Sequence, residues 1–398
     1  MKKSLVALAV LAATGAFAQS SVTLYGRMDA GITRDSGGLG AAGSATRVDS
    51  GIAGGTRLGF RGVEDLGGGL KANFLAETGF CGDANNNSTP AGAGNPPGFC
   101  TGGNAFMGRE ARVGVSGGFG AVDIGRQYTP AFGVLAAVDP FGIGTAGQIV
   151  NLFDSAGGYG APVTNTGNPR MNNTVKFTST NFGGLSASVA YGLGEVAGNS
   201  TAGRSVGFNV QYNNGPIYAG LGYHVAKGGV PAAAVPAGFT SSVATGFLVI
   251  SPTAAVAAGT QDERKNVLFG ATYDFGVAKA HFAYGTTKNT VAQGALPAVV
   301  AAGNTNYGDA RNTMLGLSAP LGAGRLMASY VRHDDRGVNN FDADQIAVGY
   351  SYALSKRTSL YTAYAKINNK NNAFYTVGNA GNAGIGNSAF NLGVAHTF

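Results

Sequence analysis

The chain closes on a β-strand. Its last eleven residues, Ser388 to Phe398, set Phe390, Leu392, Val394, His396 and Phe398 on one parity and Asn391, Gly393, Ala395 and Thr397 on the other. That is the period-2 alternation of an extended segment with one apolar face. An unpaired strand of this kind invites aggregation, and in hydrocarbon its open edge is not tolerated at all. It makes physical sense as the closing stave of a barrel whose outer face touches lipid.

The amino terminus carries Lys2 and Lys3, the apolar run Leu5 to Ala13 and the small-x-small site Ala16-Phe17-Ala18. Residues 1–18 therefore read as a secretory signal peptide, with 19–398 as one barrel domain. The apolar run is shorter than the roughly 20 residues a membrane helix needs. No later stretch reaches that length uninterrupted, so an all-β membrane protein is the expectation. Composition fits: 67 of 398 residues are Gly, 12% are charged, 44% are hydrophobic and the mean hydropathy is +0.07. Alternating strands interleave greasy and polar side chains and so average near neutrality. Trp is absent, which leaves Tyr and Phe for any interfacial girdle. The formal charge of +7 falls to +5 once Lys2 and Lys3 are removed. The basic residues are scattered singly rather than in runs, which argues against a nucleic-acid partner.

Turn residues punctuate the alternation with a regular rhythm. Seven tight connections fall at Glu64 to Gly68, Gly117 to Gly120, Asn181 to Gly184, Asn213 to Pro216, Asp274 to Gly276, Pro320 to Gly324 and Ser355-Lys356. Eight longer connections lie near 35–54, 80–106, 128–171, 194–203, 227–263, 288–310, 334–340 and 369–386. Fifteen connections predict sixteen antiparallel strands, with short turns on one side and long loops on the other, as in bacterial outer-membrane barrels. Barrels of about 16 to 18 strands hold a water-filled lumen. Face parity supports this over a soluble sandwich: Val206, Phe208, Val210 and Tyr212 point outward, while Gly207, Asn209 and Gln211 point inward. The segment Thr358 to Ile367 stays ambiguous, Leu360 and Tyr364 favouring one parity and Tyr361, Ala363 and Ile367 the other.

Five segments then resemble a known family. Ser21-Val-Thr-Leu-Tyr-Gly26 with Asp29, Arg57-Leu-Gly-Phe-Arg-Gly-Val-Glu-Asp-Leu-Gly67, Gly125-Arg-Gln-Tyr-Thr-Pro130, Asn173-Thr-Val-Lys-Phe177 with Asn181-Phe-Gly-Gly184, and the terminal Phe398 are similar to the general porins of β-proteobacteria. The resemblance implies a homotrimer of sixteen-stranded barrels, and a third extracellular loop, here the stretch after Pro130, folded into the lumen as a constriction. It also implies a cluster of basic wall residues facing acids from that loop and nearby strands.

A diffusion channel needs no nucleophile, metal or cofactor, only a constriction and a biased ring of charge. Lumen parity selects Arg57 and Arg61 in the second strand, Lys71 in the third, Arg112 in the fourth, Arg170 and Lys176 around the sixth, and Arg27 in the first. Mapped by position, Arg57, Arg112 and Arg170 lead the basic side, with Asp139 and Glu77 on the acidic side. Bases outnumber acids, so the expected preference is for small anions. Asn172 stands where the family pattern leads us to expect an acid, which leaves the local partner of Arg170 open. Cys81 and Cys100 share one loop of an exported chain and are expected to form a disulfide, closing about twenty residues and restricting the unfolded chain by roughly 3 kcal/mol. Zinc is disfavoured because no His accompanies the pair.

His224 and His281 have lumen parity, and His333 lies beside Asp334, Asp335 and Arg336, but no Ser groups with them as a catalytic set. Asp334, Asp335, Asp342 and Asp344 could meet a divalent cation or lipopolysaccharide, or simply be solvated. His396 and Phe398 sit at the rim, where Phe398 is the expected handle for the barrel-assembly machinery. The expected function is a passive outer-membrane porin for small hydrophilic solutes and ions, weakly anion-selective, surrounded by outer-membrane lipid. A substrate-specific facilitator would carry an aromatic ladder in its lumen, of which only Tyr218 is evident, and a surface adhesin would carry a passenger domain.

Overall fold

A computed structural model describes residues 21–38, 43–83, 106–153, 169–227, 238–244, 247–253, 263–290, 309–336, 340–371, 373, 375–381 and 384–398. The expected signal peptide and Cys100 lie outside the described residues.

Sixteen strands close a single antiparallel barrel. They are β1 (Ser21–Gly38), β3 (Arg57–Gly67), β4 (Leu70–Gly79), β5 (Glu110–Gly117), β6 (Gly120–Tyr128), β7 (Arg170–Thr178), β8 (Leu185–Gly192), β9 (Ser205–Asn214), β10 (Ile217–Lys227), β13 (Glu263–Asp274), β14 (Lys279–Thr290), β15 (Ala310–Leu321), β16 (Gly324–Asp335), β17 (Ala343–Ala353), β18 (Thr358–Asn369) and β19 (Gly386–Thr397). Each pairs with its sequence neighbour in the barrel, and β1 pairs with β19 to shut the sheet. The seven predicted tight turns all join consecutive strands. Two short additions were not foreseen: β2 (Ala45–Ser50) continues the sheet beside the upper part of β1, and β11 (Gly238–Ala244) pairs with β12 (Phe247–Thr253) as a separate ribbon. Ion pairs stabilise the first of these, because Arg47 bridges Asp35 on β1 and Asp49 on β2, the latter at 2.7 Å.

The seam explains two sequence motifs. Gly26 N donates to Phe398 O at 3.1 Å and Phe398 N to Gly26 O at 3.2 Å. A Cβ at Gly26 would stand 2.4 Å from Phe398 Cζ, so this glycine makes room for the terminal ring.

Along the strands, large apolar side chains alternate onto an exposed outer face, among them Leu24, Val113, Ile124, Leu315, Ile346 and Leu392. A lipid-facing band accounts for exposure that water would penalise. The ambiguous strand resolves on packing: Leu360 and Tyr364 are exposed, whereas Tyr361, Ala363, Ala365 and Ile367 are buried. Tyr361 packs with Ile52 and Ala395, while Ala363, Ala365 and Ile367 are buried in one apolar cluster with the chain after β6.

That chain forms helix α1 (Pro130–Val138) and a 3-10 turn at Ile149–Asn151. Thr129 Oγ1 caps the helix by accepting from Phe132 N at 3.1 Å, and Pro130 occupies the first turn, where its missing N–H costs nothing. Pro140 follows the last turn, which biases Asp139 away from helical geometry and ends the helix. α1 packs on the non-lipid face of β9, β10 and β13, over a floor of glycines. A Cβ at Gly222 would lie 2.8 Å from Ala131 Cα, at Gly220 2.9 Å from Val134 Cγ1, and at Gly270 2.8 Å from Val138 Cγ1. Val134, Leu135, Val138, Phe141, Ile149, Leu152 and Phe153 join one apolar cluster with Leu268, Met314, Val331 and Ile367. Burying each large side chain contributes about 1.5–3 kcal/mol. Polar contacts fix the register: Asn209 Nδ2 donates to Pro130 O at 2.7 Å, His281 Nδ1 to Val138 O at 3.0 Å, and Asn151 Nδ2 to Gln345 Oε1 at 2.8 Å.

Candidate functional site

The non-lipid face of β1 and β3–β7, away from that apolar cluster, carries the charges. Arg27 and Arg57 are direct cross-strand partners on β1 and β3. Beside them Glu77 of β4 is 6% exposed and serves three donors: Arg109 Nε at 2.6 Å, Tyr25 OH at 3.0 Å and, more distantly, Arg57 Nε at 3.6 Å. Tyr25 reaches Glu77 by crossing Gly59, where a Cβ would stand 2.3 Å from the tyrosine Cζ. The glycine of the Arg57-Leu-Gly-Phe-Arg61 segment therefore serves the site rather than a turn.

The next layer is built on β5–β7. Arg112 Nη1 pairs with Asp123 Oδ1 at 2.7 Å and its Nε lies 3.6 Å from Glu110. Lys176 stands directly across from Asp123. Arg170 is buried over the Tyr128 ring, its guanidinium carbon 4.3 Å from the centroid, and donates to the Tyr128 hydroxyl. Arg109 Nη2 donates to the same hydroxyl at 2.9 Å. No carboxylate of the described residues pairs with Arg170, and its Nε makes no hydrogen bond there. Asn172 instead accepts from Arg126, whose Nε donates to Gly108 O at 2.6 Å. A planar guanidinium stacked on an aromatic face, as Arg170 is, keeps its charge without a counter-acid.

The remaining predicted residues are spread around this cluster. Arg61 lies over the Tyr25 ring at 5.3 Å, and Lys71 is exposed near the β3–β4 turn, opposite Asp65. Arg27 pairs at 3.1 Å with Asp29, which is itself buried and accepts from Tyr361 OH and, at 3.0 Å, from Ala53 N. Asp139 is apart from the basic cluster. Its carboxylate is 6% exposed and turned into its own loop, accepting from Phe141 N at 3.1 Å, Ile143 N at 2.8 Å and Ile149 N at 3.2 Å. Burial pushes its pKa up to about 6, against the opposing pull of those amides and of Arg325. The less buried side chains of the segment are Phe132, Ala136, Ala137 and Ile143, all apolar. Cys81 is disulfide-bonded.

His224 and His281 are buried in the packing against α1, and His333 is held by Asn312 Oδ1 at 2.7 Å and Tyr375 OH at 2.9 Å. His396 bonds Thr358 Oγ1 at 2.9 Å at the rim. Asp335 Oδ2 accepts from Phe341 N at 2.9 Å and Asp342 Oδ1 from Asp335 N at 3.0 Å, both within their own loop. No group of three or more metal-ligating side chains occurs among the described residues.

Sequence parity missed Arg109, Tyr128, Tyr25, Glu110 and Asp123. Asp123 was recoverable, since it alternates with the outward Val122 and Ile124. Arg109 precedes its strand, where alternation gives no direction.

A closed sixteen-stranded barrel with an apolar outer band and a charged inner wall is a membrane channel of the outer-membrane type. The chain belongs to the Gram-negative porin family, whose profile matches residues 4–372. It is 34% identical to outer membrane porin protein 32 of Delftia acidovorans over the full length of both chains, and 30% identical to an outer membrane porin of Bordetella pertussis over 92% of this chain and 94% of that one. Among solved structures, an anion-selective porin from Comamonas acidovorans superposes with a TM-score of 0.71 at 30% identity, covering 96% of this chain and 100% of the other. The protein is thus a passive porin of the bacterial outer membrane.

Proposed function

We propose that this porin is a weakly anion-selective general diffusion channel, acting as a homotrimer, in which small hydrophilic solutes pass between the basic wall of β1 and β3–β7 and the apolar edge of residues 129–153. The observation that carries the reading is the charge imbalance. Arg57, Arg61, Arg112, Arg170 and Lys176 face the same space as Glu77, Glu110 and Asp123, while Asp139, the acid of the opposing segment, is bound to its own loop amides. Cations in excess on one wall lower the barrier for anions and raise it for cations. The anion selectivity named for the Comamonas structure and the trimer form named for an outer membrane protein of Vibrio cholerae with the same fold point the same way. Residues 1–18 act as the export signal in this reading, and Cys81 pairs with Cys100. Recording of the purified protein in a planar bilayer under a salt gradient tests it: triplet conductance steps and a reversal potential of the anion-favouring sign are expected. A cation-favouring sign would overturn the assignment of the basic wall.

A further inference from the structure

The segment that crosses the barrel interior turns an apolar face to the solute. Of residues 129–153, only Phe132, Gly133, Ala136, Ala137, Gly142 and Ile143 are not buried, and none of the six carries a polar side chain. Four of them make one stripe along α1, since 132 and 136, like 133 and 137, are four residues apart. At 3.6 residues per turn the stripe lies opposite the Val134, Leu135 and Val138 face that packs on the barrel wall. The space before it is open: a Cβ at Gly133 would meet only Asn209 Nδ2, at 3.7 Å. Asp139, the acid of the segment, is bound to its own loop amides. The solute path therefore has two unlike sides, a wall of cations and an apolar helix face.

The two sides meet at Tyr128. Its ring lies 5.0 Å from that of Phe132 with the planes 10° apart, and no other ring among the described residues stacks on Phe132. The Tyr128 hydroxyl accepts from Arg170 and, at 2.9 Å, from Arg109, which Glu77 links in turn to Arg57. Phe132 is thus fixed where the helix face borders the basic cluster. The wall alone cannot separate anions of equal charge, because chloride, acetate and benzoate feel the same field. The helix face favours a solute with an apolar body, since water leaves both surfaces when that body lies on it, and an aromatic ring adds stacking against Phe132.

We propose that the constriction carries a subsite for aromatic monocarboxylates, in which the ring lies on the Phe132, Gly133, Ala136 and Ala137 face of α1 and the carboxylate points to the basic wall. The subsite deepens the anion-channel reading and rests on it. Charge complementarity on one side and an uncovered apolar stripe on the other name the occupant. A ring-bearing cation would be repelled by the wall, a neutral ring would gain nothing from it, and an inorganic anion would gain nothing from the helix.

The test is block of the chloride current through the purified protein in a planar bilayer by sodium benzoate, sodium acetate and benzyl alcohol, each added alone, in the unaltered protein and in Phe132→Ser. The substitution keeps the backbone N–H that donates to Thr129 Oγ1, so the helix cap survives. In the unaltered protein benzoate is expected to reach half-block at a concentration about fivefold below that of acetate, the factor one aromatic contact supplies. In Phe132→Ser the two concentrations are expected to converge to within about twofold. Equal half-block concentrations in the unaltered protein would overturn the proposal, whether or not the variant folds. So would benzyl alcohol matching benzoate, which would leave the wall no part in recognition, and so would an undiminished preference in Phe132→Ser. The chloride reversal potential on the same membranes separates the two readings. An anion-favouring sign with equal half-block values strikes the subsite alone, and a cation-favouring sign strikes the basic wall and the subsite together.

Discussion

Replacing Arg57 by Gln removes one lumen charge without opening the site around it. The Arg57 side chain is 32% exposed and stands 3.6 Å from Glu77, which retains Arg109 at 2.6 Å and Tyr25 at 3.0 Å after the substitution. A pair this long and wet contributes about 0–1 kcal/mol, so folding and assembly should survive. Selectivity should not. An ion passing about 5 Å from the guanidinium in water feels roughly 0.8 kcal/mol, reduced to about 0.5 kcal/mol by screening at 0.1 M salt. Losing the charge raises the barrier for anions and lowers it for cations by that amount, so the anion-to-cation permeability ratio should fall about fivefold. At 1 M salt, where the screening length is about 3 Å, the change should shrink to less than about twofold. Reversal potentials measured in matched gradients at both ionic strengths decide it. An unchanged ratio at low salt, or an equal change at both, would refute the claim that Arg57 acts on the permeating ion through space.

Removing Glu77 has the opposite character: Glu77→Ala strips the buried Arg109 of its carboxylate, and thermal unfolding should report a loss of about 3–5 kcal/mol, where Arg57→Gln leaves stability nearly unchanged. Asp139 sets a pH dependence. Its folded pKa of about 6 lies above the ordinary 3.8, so the folded state holds the proton more tightly; stability is fullest below about pH 4 and declines by about 3 kcal/mol as pH rises through 6. Melting curves of Asp139→Asn should be flat over that window, and a persisting slope would assign it elsewhere. Gly222→Val drives a side chain into Ala131 Cα and should displace α1 from its floor, changing single-channel conductance while the barrel keeps its β-sheet circular dichroism.

Much of the barrel could be read from local pattern. Seven turns, eight loops and strict alternation specify sixteen strands and their outer faces, because side-chain direction in a strand depends only on parity. The Thr129-Pro130 pair before an apolar run was also a helix signal, hidden by its place inside a long loop.

The site divides differently. Parity alone selected Arg57, Arg61, Arg112 and Lys176 for the inner wall, since each alternates with lipid-facing neighbours. Parity has no term for which groups pair across the sheet. Glu77 is engaged by Arg109, 32 residues away along the chain, and Tyr25 comes from another strand, 52 residues away. Arg170 finds an aromatic face, and Asp139 turns into three amides of its own loop. Those outcomes depend on strand register and on where the segment after β6 docks, and its docking is set by glycines on β10 and β13 that in sequence look only like permissive strand positions. Alternation is a one-dimensional property that the sequence states outright; charge pairing and burial are properties of distance, which exists only once the barrel has closed and the loop has settled on its floor.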